Sequence, residues 1–362
     1  MIALLCLFDV VVLAVGVVVV WRGAWGGVWR ELVTWIAGAM LVEVAALVLM
    51  STTGGFGQIR GLAHATFCVL LPMVLVRGVR VWRHCRWFAA GLVLTALVGE
   101  GCYVWAREVE PFRLEITTAK VTSPRLASLA QPVRVACVAD LQTDAIGAYE
   151  VSVFDRLVEL QPDLVLFLGD YLQLPADELR AELPKLHAQL ARLSPRLGMF
   201  AVDGDVDWPG GGVHGVFAGT KVAPLVDGDA ALPGVPIDVH GLSRMRSRAP
   251  RFDAGLVKKL GGERFPIVIG HAPDFMLAVL RDGLQADALL VAGHTHGGQI
   301  QVPGFGPLIT LSSVPRWLAG GGVFQRGASW LVCSRGIGME RDVAPRVRFW
   351  CRPQLIVLEL GG

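Results

Sequence analysis

The stretch ALLVAGHTHGGQI, residues 288–300, sets a short apolar run against two histidines and three glycines. The run reads as a buried strand. Carried on through the histidines, an extended backbone would put alternate side chains on one face, so His294 and His296 would point the same way. The glycines around them let the chain turn sharply and approach a neighbour closely. Two neutral imidazoles converging in this way suit a metal ion. A lone histidine would be read as a hydrogen-bonded loop residue. A His-x-His pair between glycines asks for further ligands elsewhere in the chain.

Working back from this stretch, four more apolar runs end in ligand types. VRVACVAD ends at Asp140, DLVLFLGD at Asp170, GMFAVDGD at Asp205 and FPIVIGH at His271. VFDRLVELQ and ELRAELPKLHAQLARL have helical spacing, and Pro184 is expected to interrupt the second. Strands alternating with helices indicate an α/β fold, whose sites form at the C-terminal ends of strands. One aspartate after a strand is often a turn residue. Five strand ends that all carry Asp or His point to one site. Asp and His are the ligand set for Mn, Fe or Zn, with Mg possible, and do not suit a soft thiolate centre. A metal pair bridged by one carboxylate activates water and orients a phosphoryl group for in-line displacement.

The first 106 residues differ in character. Hydrophobic residues make up 53% of the whole chain and charged ones 18%. With a mean hydropathy of +0.53, membrane segments are implied. Four apolar runs, 2–21, 33–50, 61–76 and 88–106, read as an all-α four-helix transmembrane region. The first run lacks a basic leader and is followed by three more, which argues against a cleaved signal peptide. Arg22 and Arg30 follow the first run, Arg60 the second, and Arg77, Arg80, Arg83 and Arg86 the third. By the positive-inside rule, the chain beyond residue 106 then lies outside a cytoplasmic (inner) membrane. Asp9, Glu43 and Glu100 within the runs are read as facing polar neighbours in the bundle. Residues 107–131 read as a linker with edge strands, and 132–362 as the domain carrying the site. A net charge of +2 gives no bias toward nucleic acid. The seven cysteines form no CxxC pair, which argues against a thiolate zinc site. Cys333 and Cys351 would be able to pair only in an oxidising compartment.

Taken in order, the series resembles the calcineurin-like metallophosphoesterases, in particular a bacterial membrane-anchored branch. GHTHGGQ followed by PGFG is the most specific part, and SRGIGMERDVAPRVRFWCRPQLIVLEL resembles the branch's C-terminal strands. The resemblance spans roughly residues 107–362 and implies a two-sheet αββα sandwich. It implies a metal-dependent phosphoric ester hydrolase with two divalent ions. Asp170 would bridge the ions. Asp140, Gln142 and His296 would hold the first, and Asp205, His271 and His294 the second, with Asp170, Asp205 and His271 the catalytic core. Arg335 in SRGIG is a candidate phosphate contact, or else an ion-pair partner of Glu340 or Asp342. The pattern breaks at three places. Gln142 replaces a histidine ligand, Asp205 an asparagine, and Val206 the histidine expected to protonate the leaving group. His214 or His240 would have to supply that proton if any residue does. The membrane anchor suggests the bilayer as a partner and a lipid-linked phosphodiester or pyrophosphate as substrate. Relatives of the branch are associated with hydrolysis of UDP-2,3-diacylglucosamine. The departures also motivate a non-catalytic metal- or phospho-ligand-binding membrane protein.

Overall fold

The computed structural model describes residues 28–49, 54–83, 85–341 and 344–362. The first apolar run, with Cys6, Asp9 and Arg22, lies outside these, as does Asp342. The chain divides into two units, residues 1–108 with 340–346, and residues 109–339 with 347–362.

In the first unit, helix α1 spans Val28–Leu49. Helix α2, Gly54–His64, runs through a π-helical turn, Ala65–Leu70, into α3, Leu71–Val81. Helix α4 spans Arg86–Val104. Two described helices, Gly55–Val81 and Arg86–Phe112, are long and apolar enough to cross a membrane; α1 contributes only a shorter apolar stretch, Ala37–Val48. Of the three expected runs that fall among the described residues, two thus form candidate spans. The third apolar run and the polar GGFGQIR before it form one continuous helix, longer than the run alone. One Glu43 oxygen accepts a hydrogen bond from the Thr66 hydroxyl at 2.7 Å, whereas its other oxygen and Oε1 of Glu100 are buried without a hydrogen-bond partner.

The second unit is built on two six-stranded sheets. The first holds β1 (Glu115–Thr122), β2 (Val133–Val138), β3 (Leu164–Phe167), β4 (Met199–Ala201) and β5 (Val222–Pro224). The second holds β6 (Asp229–Ala231), β7 (Ile237–Gly241), β8 (Phe265–Ile269) and β9 (Leu289–Ala292). A two-residue hairpin, β10 (Gln301–Val302) with β11 (Gly306–Pro307), follows. Strands β12 (Gly322–Arg326) and β13 (Ser329–Cys333) complete the second sheet, and β14 (Gln354–Gly361) returns to the first. The orders are β1-β14-β2-β3-β4-β5 and β12-β13-β9-β8-β7-β6. Strands β2 to β5 pair in parallel, as do β7, β8, β9 and β13. Strand β14 inserts antiparallel to β2 and parallel to β1.

Period-two alternation sorts the core into layers. Val133, Val135 and Cys137 of β2 meet Phe265, Ile267 and Ile269 of β8 between the sheets. The other face of β2, Ala136 and Val138, packs on helices α5 (Ala148–Leu160) and α6 (Ala176–Leu190) through Val153, Phe154, Leu157, Leu179 and Leu186. Val268 and Leu290 of the second sheet pack on the opposite helical layer. Strands buried on both faces read as unbroken apolar runs, which is why each run was legible as a strand. Pro184 does not interrupt α6. It sits on the exposed face, where water can satisfy the carbonyl its missing N–H leaves free.

Candidate metal centre

Parallel strands in both sheets end at one edge of the sandwich, and the loops that leave them carry the acids and histidines. Asp140 follows β2, Asp170 follows β3 and Asp205 follows β4. His271 follows β8, and His294 and His296 follow β9. The strand β9 stops at Ala292, so the two histidines do not share a strand face as the extended reading expects. Both adopt left-handed backbone instead, with φ of 69° at His294 and 49° at His296, around Thr295 in ordinary right-handed geometry. Asp140, Gln142 and Asp170 also lie at positive φ, 46°, 28° and 54°. Non-glycine residues held there cost about 1–3 kcal/mol each, and such strain gathers at functional sites.

Two groups result. Asp205, His271 and His294 form one, and Asp140, Asp170 and His271 the other, with the ligand atoms of each group within 4.8 Å of one another. His271 is fully buried and belongs to both. Its Nδ1 donates to the Leu168 carbonyl at 2.9 Å, which turns Nε2 into the cluster. There Nε2 lies 3.3 Å from Asp170 Oδ2, 3.5 Å from Asp205 Oδ2 and 3.2 Å from His294 Nδ1. His294 Nδ1 is 3.2 Å from Asp205 Oδ2, and its other nitrogen donates to the Leu311 carbonyl at 3.2 Å. The His294 amide donates to both Asp140 oxygens at 3.0 Å.

His296 and Gln142 fall outside both groups. His296 is buried, and neither ring nitrogen has a hydrogen-bond partner. An imidazole desolvated on both nitrogens is costly unless something binds one of them. Gln142 is fully buried; its amide nitrogen donates to Gln173 Oε1 at 3.0 Å. The Arg335 guanidinium is engaged elsewhere: Nε donates to the Arg352 carbonyl at 3.0 Å and Nη2 pairs with Glu115 at 3.0 Å. Of the two histidines considered as proton donors, His240 is bound to Asp229 at 2.6 Å and His214 is exposed on a short helix. Cys333 and Cys351 are separate buried thiols.

The electrostatics ask for a cation. Burial pushes the Asp140 carboxyl up to about 8, against the pull of His271 and with the help of Asp170. Burial also raises Asp170, but the charge and hydrogen bond of His271 outweigh it and hold the group below the usual range. The same contest leaves Asp205 well below that range, through His271 and His294. His296 is driven far below the ordinary histidine value by burial and by the Arg348 charge, so it stays neutral and able to ligate. Three carboxylates, neutral His296 with two unpartnered nitrogens and His271 aimed inward fit a pair of divalent ions.

Asp207 orders the loop. It is buried and accepts from the amides of Asp170, Tyr171 and Gly204 at 3.1, 2.9 and 2.7 Å. That brings Gly204 so close that a Cβ there would lie 2.1 Å from Asp170 N and 2.2 Å from its Oδ1. Backbone cannot yield by that much. Gly204→Ala is expected to lower the melting temperature by about 5 °C or more and to weaken metal binding, read by thermal unfolding with and without Mn²⁺. An unchanged melting curve would show that the loop does not hold this geometry. Sequence reading missed Arg244 and Arg248 in RMRSRAP, which stand at Asp205, and the buried Arg348. Nothing in a run of arginines marks which one reaches a site.

No protein-family model matches the chain. An uncharacterized metallophosphoesterase of Bacillus subtilis, YkuE, is 27% identical over 285 residues, covering 74% of this chain and 93% of that protein. Phosphodiesterase YaeI of Escherichia coli is 27% identical over 214 residues, covering 56% of this chain and 72% of that protein. Among solved structures, a sulfate thiohydrolase, SoxB, is 13% identical with a TM-score of 0.33. It covers 64% of this chain, which in turn spans little more than half, 57%, of that one. This chain is a homologue of metallophosphoesterases, and its buried carboxylate–imidazole cluster is of the kind a metal-dependent phosphoric ester hydrolase requires.

Proposed function

We propose that the protein is a membrane-anchored phosphoesterase that uses two divalent ions to hydrolyse a phosphodiester or pyrophosphate, with a lipid-linked substrate. The observation that carries the metal reading is the convergence of five strand-end ligands from two sheets on one point, with His296 buried and unpartnered beside them. Asp140, Gln142, Asp170 and His296 would hold one ion. Asp170, Asp205, His271 and His294 would hold the other. Bound there, the ions supply Lewis-acid polarisation of the phosphoryl group and activation of water. The protein's own part is to fix the ligands. His271 is locked by Leu168, Asp170 accepts from the Val206 amide at 3.0 Å, and Asp140 is gripped by the His294 amide. The donor set suits Mn, Fe or Zn, with Mg possible.

Membrane anchoring is supported by the two apolar helices and by large apolar side chains left exposed on α1, α3 and α4, such as Met40, Val79 and Leu94. The loop arginines favour the outer side for the second unit, by the positive-inside rule. A hydrolase acting on UDP-2,3-diacylglucosamine would need the cytoplasmic side instead. A reporter fused at the C-terminus decides, because a cytoplasmic C-terminus sinks the outer-side version.

The test of the central reading is metal content per chain after Mn²⁺ loading of the full protein. Two ions per chain are expected, with turnover on a phosphoester panel. Val206 and Gln142 favour a second reading, a binding protein without turnover. Two bound ions with no turnover on lipid, nucleotide and aryl phosphoesters would establish that reading, and no bound metal would defeat both.

A further inference from the structure

The loop after Asp205 offers no proton donor, because Val206 stands where the resemblance expects histidine. General acid help of that kind is worth about 10²–10⁴-fold. Other groups stand at the same edge. Arg248 Nη2 donates to Asp205 Oδ2 at 2.5 Å and lies 3.3 Å from His294 Nε2. Arg244 Nη1 stands 3.6 Å from the other oxygen, Oδ1. The two arginines are four residues apart, on the short helix Arg244–Ser247 and its C-cap, so they share a face. Trp208, 60% exposed, lies beside Arg244, whose guanidinium is 5.4 Å from its ring centre.

Access decides what this arrangement meets. The side chains of Asp140 and His271 are 0% exposed and that of Asp170 4%, whereas Asp205 is 25% exposed. A substrate therefore reaches the cluster at Asp205. The Arg248 and Arg244 side chains are 43% and 38% exposed at that entrance. A guanidinium has five donors in a fixed fork, and Asp205 takes only part of each. Planar forks of this kind match phosphate oxygens.

We infer that Arg248 and Arg244 form a clasp for the phosphoryl group and its departing oxygen, and that the site selects substrates whose leaving group departs as a stable anion. Phosphoanhydrides and aryl phosphoesters belong to that class and alkyl esters do not, which narrows the proposed lipid-linked substrate to a pyrophosphate. The inference rests on the phosphoesterase reading. In the reaction, the oxygen of water forms the new bond to phosphorus. The bond to the leaving oxygen breaks and its electron pair goes to that oxygen. The proton lost by water passes to solvent. The guanidinium groups stabilise the charge by hydrogen bonding and give up no proton. A phosphate or phenolate can leave on those terms, whereas an alkoxide needs protonation.

The test uses the Mn²⁺-loaded full chain and inorganic phosphate as probe, followed by calorimetry, beside Arg248→Ala, Arg248→Lys and Val206→His. Metal content should be the same in all four. Phosphate binding should weaken about 10–100-fold in Arg248→Ala, with partial recovery in Arg248→Lys. Rates over a series of esters should fall steeply as the leaving group becomes more basic, and Val206→His should flatten that dependence. Equal phosphate affinity in Arg248→Ala and the parent overturns the inference. So does loss of metal from Arg248→Ala, which would make Arg248 a positioning residue for Asp205. A parent that cleaves alkyl and aryl esters alike also overturns it. A parent that holds metal but neither binds phosphate nor cleaves any ester fails earlier, at the phosphoesterase reading, and the inference falls with it.

Discussion

Asp170→Asn should cut bound metal from two ions per chain to one or none and lower turnover roughly a thousandfold, the loss of several kcal/mol of transition-state stabilisation. The substitution is nearly isosteric. The retained carbonyl oxygen can still accept from the Val206 amide, and the backbone contact with Asp207 does not involve the side chain. What disappears is one charge from a buried cluster. Asp170 raises Asp140 and is itself crowded by Asp205, but the charge and hydrogen bond of His271 outweigh this and hold its carboxyl low, so without metal its removal gives up a net favourable pairing. The metal-free variant should therefore melt somewhat below the parent. With metal the gap widens. A ligand at a hundred times its Kd stabilises a protein by about 2.7 kcal/mol, and the variant forfeits most of that gain. A stability gap that widens on adding metal separates a ligand from a merely structural residue. A variant whose gap is the same in both conditions and that still binds two ions would remove Asp170 from the centre.

The residues of this cluster were legible because each ends a doubly buried parallel strand, and such strands read as apolar runs whose last residue stands out. Asp140, Asp170, Asp205 and His271 were found in this way. What the runs do not carry is pairing. Sequence places β2, β3, β4, β8 and β9 in one series, whereas the structure divides them between two sheets. Strand β14 joins β1 and β2 across more than two hundred residues, a pairing set by packing rather than by local pattern. The His-x-His stretch was legible as a ligand pair for the wrong geometric reason. Its strand ends two residues earlier, and left-handed backbone, stabilised by the fold around it, aims the rings. Among the described residues, the second apolar run yields only a shorter apolar stretch, Ala37–Val48, because hydropathy counts apolar residues and not helix limits. Arg335 and Arg348 show the remaining difficulty. One looked like a ligand-binding residue and is tied to Glu115; the other looked ordinary and is the largest fully buried side chain of the described residues.

Arg348→Met is accordingly expected to destabilise the protein by about 3–5 kcal/mol, far more than any surface arginine. Its guanidinium donates to four carbonyls: Gly338 at 3.1 Å, Cys351 at 3.1 Å, Arg335 at 2.8 Å and Gly336 at 3.3 Å. Burial lowers its pKa, but the ring of carbonyl dipoles holds the charge in place. Methionine fills much of the same volume and leaves those acceptors unpaired, at about 1–3 kcal/mol for each that water cannot reach. The cost reaches the metal centre. The caged loop runs under Asp140, whose carbonyl accepts from Gly338 N at 2.7 Å. A Cβ at Gly336 would come within 2.8 Å of the Asp140 Cβ, and one at Gly338 within 2.1 Å of the Leu141 carbonyl. A loosened loop would release the strained backbone at Asp140, so metal affinity should fall about 10–100-fold with the stability. Arg335→Ala, which breaks a partly exposed pair with Glu115, should cost under about 1 kcal/mol and leave metal binding unchanged. Urea unfolding and Mn²⁺ titration of both variants provide the measurement. If Arg348→Met unfolds within about 0.5 kcal/mol of the parent, the carbonyl cage does not hold the loop. If it unfolds early yet binds metal with parent affinity, the cage supports the fold and Asp140 is aimed by β2 and the His294 amide alone.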